Sequence, residues 1–255
     1  MKKLKHTLLA TALLASFTTP GIAVTTSDNT LVATQLQTAL QSLSRPAADK
    51  AQDAQRQPVK MVAFLGISQG DTVLDVGAGG GYATEIFSAA VGQSGHVIAQ
   101  NDGFAMKLMD GKYVAPLIAR TDEDRLSNVE MQVWEMTEIP LNSSVDVAFW
   151  GNNLHDYYNR DPELGQAIIN TLFKALKPGG TLALTDHVGV KGQNNSELHR
   201  LDPTVLTPML KKAGFTHIES SSLYHNASDS HAISVFDSSI RGNTDKLFIK
   251  AMKPE

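Results

Sequence analysis

Three groups of residues stand at spacings that chemistry can use. Residues 73–82 read Val-Leu-Asp-Val-Gly-Ala-Gly-Gly-Gly-Tyr, which sets one carboxylate, Asp75, ahead of glycines at 77, 79 and 81. Such glycines let the backbone turn sharply, admit a ligand against the main chain and bring the next helix close to the preceding strand. A dinucleotide turn, G-x-G-x-x-G, needs its third glycine at position 82, which is Tyr82. Asp75 inside the site would repel a pyrophosphate and attract an ammonium or sulfonium group. The second group is His155-Asp156, just past an apolar run that ends at Trp150. A histidine near its ordinary pKa suits proton transfer; Asp156 would orient it, accept from a substrate donor or serve the first turn of a helix. These two are the catalytic candidates. The third group holds His187, behind Asp186, and His199-Arg200, all expected near the same sheet edge as substrate contacts. Asp202-Pro203 is in addition good capping chemistry. His225, Asp229 and His231 match no compact zinc spacing, so they read as a polar loop and no metal site is expected. Arg241 and Asp245 are expected to pair.

Composition narrows the chemistry. The chain has 255 residues and no cysteine, which removes disulfides, thiolate ligands, iron–sulfur clusters and thiolate nucleophiles. A net charge of −4 without basic runs argues against nucleic acid as a partner. No nucleophile elbow G-x-S-x-G is present.

The elements that must carry these residues follow from periodicity. Lys2, Lys3 and Lys5, an apolar run from Leu8 to Phe17, and small residues to Ala23 follow the order of an export signal, too short for a membrane span. Cleavage after Ala23 is expected, with a periplasmic or secreted product and no transmembrane segment afterwards. Residues 24–28 are small and polar, a loose new terminus. Residues 24–65 read as a helical extension: Leu31, Leu36, Leu40 and Leu43 on one amphipathic helix, a polar helix over 47–57, and a helix opened by Pro58 and ended by Gly66. From 66 to 255 the pattern alternates. Strands are expected at 72–76, 96–100, 129–134, 145–150, 181–186, 216–222 and 246–252, with helices at 82–91, 104–119 and 162–176, the last stopped by Lys177-Pro178-Gly179-Gly180. This is an α/β, doubly wound, mostly parallel seven-stranded sheet behind an N-terminal helical extension. The polar stretch 223–244 is long enough to be a functional loop or an edge flap.

The turn at Asp75, Gly77, Gly79 and Gly81 resembles the first motif of class I S-adenosylmethionine-dependent methyltransferases. The resemblance implies a Rossmann-like methyltransferase fold and S-adenosyl-L-methionine as cofactor, its amino-acid end held by this turn, Ala78 included. It further implies that the end of the second strand holds the ribose; there Asn101, with Asp102 beside it, replaces the usual acidic residue. Asn128 to Pro140 resembles the adenine motif, with Glu135 as the acceptor and Met136 as its neighbour. Residues 145–156 match the next motif, where the nucleophile meets the methyl group, with Asn152 on the cofactor side. Leu172 to Leu182 and Lys211 to Phe215 continue the match. A narrower resemblance, from Arg45 to Pro254, is to a bacterial group of exported predicted methyltransferases, through Arg45-Pro46 with Asp49, His155-Asp156, His199-Arg200, and Val235-Phe236-Asp237.

The Asn/Asp-Pro-Pro-aromatic arrangement used for amide or adenine amino groups is missing, since 151–154 read Gly-Asn-Asn-Leu. The expected acceptor is an oxygen or nitrogen of a small molecule or an envelope component. A different class of function on the same fold is a noncatalytic periplasmic protein that binds a nucleoside-like ligand.

Overall fold

The computed structural model describes residues 26–42, 44–122 and 125–255; the expected signal segment 1–23, its cleavage position and Leu43 lie outside them. The lead-in consists of α1 (Thr26–Leu40), the one-turn helices α2 (Ala47–Lys50) and α3 (Asp53–Arg56), and α4 (Pro58–Leu65). Helix α1 already begins inside the stretch expected to be loose, and the expected helix over 47–57 is two turns separated at Ala51-Gln52. The alternating part follows as β1 (Thr72–Val76), α5 (Tyr82–Val91), β2 (His96–Asn101), α6 (Gly103–Lys107), α7 (Ala115–Asp122), β3 (Val129–Val133) and β4 (Val145–Gly151). It continues with α8 (Leu154–Arg160), α9 (Pro162–Ala175), β5 (Leu176–His187), α10 (Asn195–Leu198), α11 (Leu206–Ala213), β6 (Thr216–Ser220) and β7 (Lys246–Met252).

The strands form one sheet in the order β3-β2-β1-β4-β5-β7-β6. The first five are parallel, and β7 runs antiparallel between β5 and β6. The winding reverses between β1 and β4, so the carboxyl ends of these two strands open a crevice, where such sheets bind ligands.

Both faces are buried, and the strands alternate between two cores. Leu74, Ala148, Trp150 and Leu184 face the side packed by α8, α9 and α11. Val73, Val147, Phe149 and Ala183 face the side packed by α1, α4 and α5. Adjacent residues thus serve opposite layers, the signature of a strand covered on both sides. The lead-in is part of the second core: Val32 and Leu36 are buried there against Ile86 and Phe87.

The strand expected over 216–222 stops at Ser220, and two further boundaries change more. The helix expected over 104–119 is broken, because Met109, Asp110 and Gly111 all take left-handed backbone conformations that no helix propagates. The strand expected from 181 begins at Leu176, immediately after α9. Its register on β4 jumps from Val145↔Leu176 to Val147↔Thr181, so Lys177-Pro178-Gly179-Gly180 is a bulge, where a strand tolerates Pro and Gly. None of the described helices is long and apolar enough to cross a membrane.

Candidate functional site

The glycine turn closes β1 and opens α5. Gly77, Gly79 and Gly81 all have positive φ, at 62°, 55° and 83°. A Cβ on Gly79 would lie 2.8 Å from the Tyr113 hydroxyl, and one on Gly81 would lie 2.8 Å from Leu117 Cδ1. The turn is held from β2: the Gly77 N–H donates to Gln100 Oε1 and the Gly79 N–H to Asn101 Oδ1, both at 2.9 Å. The Ala78 N–H donates to the Gln100 carbonyl.

Below the turn, Asp75 is buried and accepts from the Thr84 hydroxyl at 2.6 Å. Burial pushes its carboxyl up to about 7, against the opposing bonds from Thr84. Gly77 to Gly80, Asp75, Asn101, Asp102, Met136 and Asn152 border a cavity of about 720 Å³, whereas Gly81 lies behind its wall. Asn101 is fully buried, and with Oδ1 taken by the turn its Nδ2 has no partner among the described residues. Asp102 caps α6 through the Ala105 N–H at 2.7 Å and accepts from the Tyr157 hydroxyl at 2.7 Å. Glu135 stands exposed at the exit of β3, accepts from the Gly103 N–H at 3.2 Å, and lies outside the cavity wall. Asn152 takes a left-handed φ of 55° just past β4, donating its N–H to the Thr185 carbonyl.

On the far side of the cavity, α8 delivers His155 and Asp156. The buried Asp186, at the end of β5, accepts from the His155 backbone N–H at 2.8 Å and bonds His155 Nδ1 at 2.6 Å. His155 Nε2 lies 3.2 Å from Asp156 Oδ1, and the same oxygen lies 3.1 Å from His199 Nδ1. Burial would push the His155 ring down, but the Asp186 charge and the bonds to Asp156 and Asp186 outweigh it and raise the ring to about 10. His155 therefore stays protonated at neutral pH and donates. Burial likewise opposes ionisation of Asp156, yet His155 and His199 hold its carboxyl below the usual carboxylate range. His187 borders the cavity as a neutral ring: burial, then the Lys246 charge, push it down to about 3, and Nδ1 lies 2.7 Å from the Thr244 hydroxyl.

Arg200 does not reach the cavity. It is fully buried, forms a two-pronged pair with Asp229 at 2.9 and 3.0 Å, and donates to the carbonyls of Val188 and Ile233. Its place is structural because the polar stretch 221–245 wraps around it. The expected pairing of Arg241 with Asp245 is replaced by another. Asp245 is bonded by His225 at 3.0 Å, His231 at 2.9 Å and the Asn226 N–H, while Arg241 lines the cavity. Asp202 caps a 3-10 turn through the Thr204 N–H, as its Pro203 neighbour suggested.

Sequence reasoning missed Asp186, Tyr113, Tyr157 and Arg56, which shape or border the site. Asp186 carried a signal, as the last acidic residue of an apolar strand. Arg56 carried none: it reaches the cavity because the lead-in folds back onto Tyr82, its guanidinium 4.3 Å from the ring centre. Arg45 bonds Asp53 at 2.6 and 2.8 Å, and Asp53 accepts from the Tyr82 hydroxyl, which bolts the lead-in to the glycine turn.

A family described as a methyltransferase domain matches residues 67–246. The arsenite methyltransferase of Halobacterium salinarum is 27% identical over 171 residues, 62% of this chain and 40% of that protein, so the chain spans well under half of this curated relative. A SAM dependent methyltransferase from Aquifex aeolicus superposes with a TM-score of 0.56 at 21% identity, covering 86% of this chain and 97% of its own. Phosphoethanolamine N-methyltransferase 2 of Haemonchus contortus, solved with S-adenosyl-L-methionine, gives 0.57 at 17% identity over 78% of this chain and 53% of its own. These likenesses show a shared fold.

Proposed function

The chain belongs to the methyltransferase domain family, and from that premise we propose that it transfers a methyl group from S-adenosyl-L-methionine to an oxygen or nitrogen of a small-molecule or envelope acceptor, outside the cytosol. One observation carries this reading: a single cavity joins a Cβ-free glycine cradle over a buried carboxyl to the His155–Asp156 pair. The chain's own atoms fit the cofactor. Asp75 is a buried carboxyl with no cationic partner among the described residues, so an ammonium group would complete it. Asn101 Nδ2 is a buried donor without an acceptor, and a hydroxyl would supply one.

S-adenosyl-L-methionine, when bound, supplies an electrophilic methyl group on a sulfonium. The protein's work is then alignment in a water-poor pocket. The cradle fixes the cofactor end through Asp75, Asn101 and the turn backbone, and Met136 borders the same end. His155 holds a proton next to where an acceptor oxygen would lie, which favours its ionised form. Asp156 is the carboxylate available to accept from an acceptor hydroxyl or amine.

Calorimetry of the purified protein with S-adenosylmethionine and with S-adenosylhomocysteine tests the reading. We expect one site for each, lost in Asp75→Ala; no binding of either sinks it, and binding without any methyl transfer to an acceptor panel would support the noncatalytic ligand-holding alternative. Export rests on the residues up to Ala23. A fusion of residues 1–30 to a reporter that works only outside the cytosol should be active, and an inactive fusion refutes export.

A further inference from the structure

We propose that His155, Asp156 and His199 form a binding site for one divalent first-row transition-metal ion, opening onto the cavity beside the glycine cradle. Their ligand atoms, two imidazole nitrogens and a carboxylate oxygen, all lie within 4.8 Å of one another. The geometry is closer than mere proximity. Metal–ligand bonds of about 2.1 Å put neighbouring donors about 3.0 Å apart at right angles and about 3.4 Å apart in a tetrahedron. Asp156 Oδ1 lies 3.2 Å from His155 Nε2 and 3.1 Å from His199 Nδ1, so two edges of a coordination face are already set.

The surroundings are those of a supported ligand set. His155 Nδ1 is held by Asp186, which is itself buried, so Nε2 is the nitrogen directed at Asp156, and an ion bound there takes the place of the proton that Nε2 carries in the metal-free protein. A carboxylate behind a ligating histidine fixes its tautomer and raises its donor strength. His199 is presented from a left-handed backbone position, φ 51°, at the end of α10, with its ring packed on Phe236 at 4.7 Å. Two imidazoles and one carboxylate suit zinc, iron, cobalt or manganese, and fit magnesium and calcium less well. Three protein ligands leave at least one position open. His155 and Asp156 border the cavity, so an open position would face the acceptor and take a hydroxyl or carboxylate oxygen. That last step rests on the methyl-transfer reading; metal binding does not.

The test starts from the full chain stripped with a chelator and titrated with Zn²⁺, Mn²⁺ and Mg²⁺ by calorimetry, with bound metal counted after dialysis. We expect one zinc per chain and Mg²⁺ at least 100-fold weaker. His199→Ala and Asp156→Ala should each weaken zinc at least 100-fold, and Asp186→Asn about 10- to 100-fold. His225→Ala, whose ring bonds Asp245 instead, should bind as the parent does. Should a variant unfold, Mn²⁺ broadening of the His155 and His199 ring signals in the parent protein answers the question without one. No zinc bound, no broadening at these rings, or an equal loss in His225→Ala would each overturn the proposal. Titrating S-adenosylmethionine into the metal-free protein separates the readings: zinc without cofactor binding leaves the metal site and removes methyl transfer, and the reverse removes the metal site alone.

Discussion

Asp75 is a carboxyl whose proton affinity comes from burial, and two pH dependences follow. Folded, it releases its proton near pH 7, against an ordinary 3.8. The folded state therefore holds this proton more tightly than the unfolded chain, and the stability it contributes is full below about 4 and lost as pH rises through 7. Replacing Asp75 with Asn removes the charge and keeps the shape. The variant should gain on the parent by about 2–4 kcal/mol between pH 5 and pH 8 in chemical denaturation; a gap independent of pH would show that the carboxyl is not the cause. Cofactor affinity should move the other way. An ammonium group needs the ionised carboxyl, so calorimetry should show at least tenfold tighter binding at pH 8 than at pH 5.5, and Asp75→Asn should flatten the profile. At this scale the turn was legible, because Asp75 to Gly81 are neighbours in the chain. The cluster of His155 and His199 was not: the latter bonds Asp156 across 43 residues, and only the folded path of α8 and α10 unites them.

Strand and helix ends set how much these side chains can move. Gly81 caps α5 at a positive φ with Leu117 packed against it, so Gly81→Ala meets both backbone strain and a buried leucine. It should cost about 1–3 kcal/mol in urea unfolding and weaken cofactor binding; an unchanged midpoint would mean that α7 yields. The segment between β6 and β7 depends on another contact. Arg200 and Asp229 are both buried, and Asp229→Ala leaves the guanidinium without its counter-charge, which should cost about 3–5 kcal/mol and open residues 221–245 to protease. A protease-resistant variant would show that other contacts hold the segment. The sequence suggested a flap at 223–244 from length and polarity, but not its clasp, since Arg241 was expected to pair with Asp245 and Arg200 was expected at the substrate. The break between α6 and α7 was hidden for a different reason. The apolar spacing over 104–119 is helical, and left-handed Met109 and Asp110 override it.

On the scale of the molecule, the lead-in and the sheet share one core, so residues 26–65 are not a detachable arm. Val32, Leu36, Met61, Val62 and Leu65 cover the face formed by Val73, Val97 and Phe87. Periodicity gave the seven strands and their alternation; it gave no hint that Arg45 and Asp53 fasten the lead-in to Tyr82. Arg45→Ala should lower the melting temperature by several degrees and weaken cofactor binding together, and a loss of stability without a loss of affinity would separate the two. The same packing has an optical consequence. The chain has two tryptophans, and Trp150 is buried under the site, its ring 5.8 Å from Tyr157 and its Nε1 4.0 Å from where a Cβ on Gly77 would stand. An adenosyl ligand arriving above it would change its emission, and Trp134→Phe would leave Trp150 as the sole reporter. The protein thus contains a built-in fluorophore with which the cofactor titrations can be followed, without label or coupled assay.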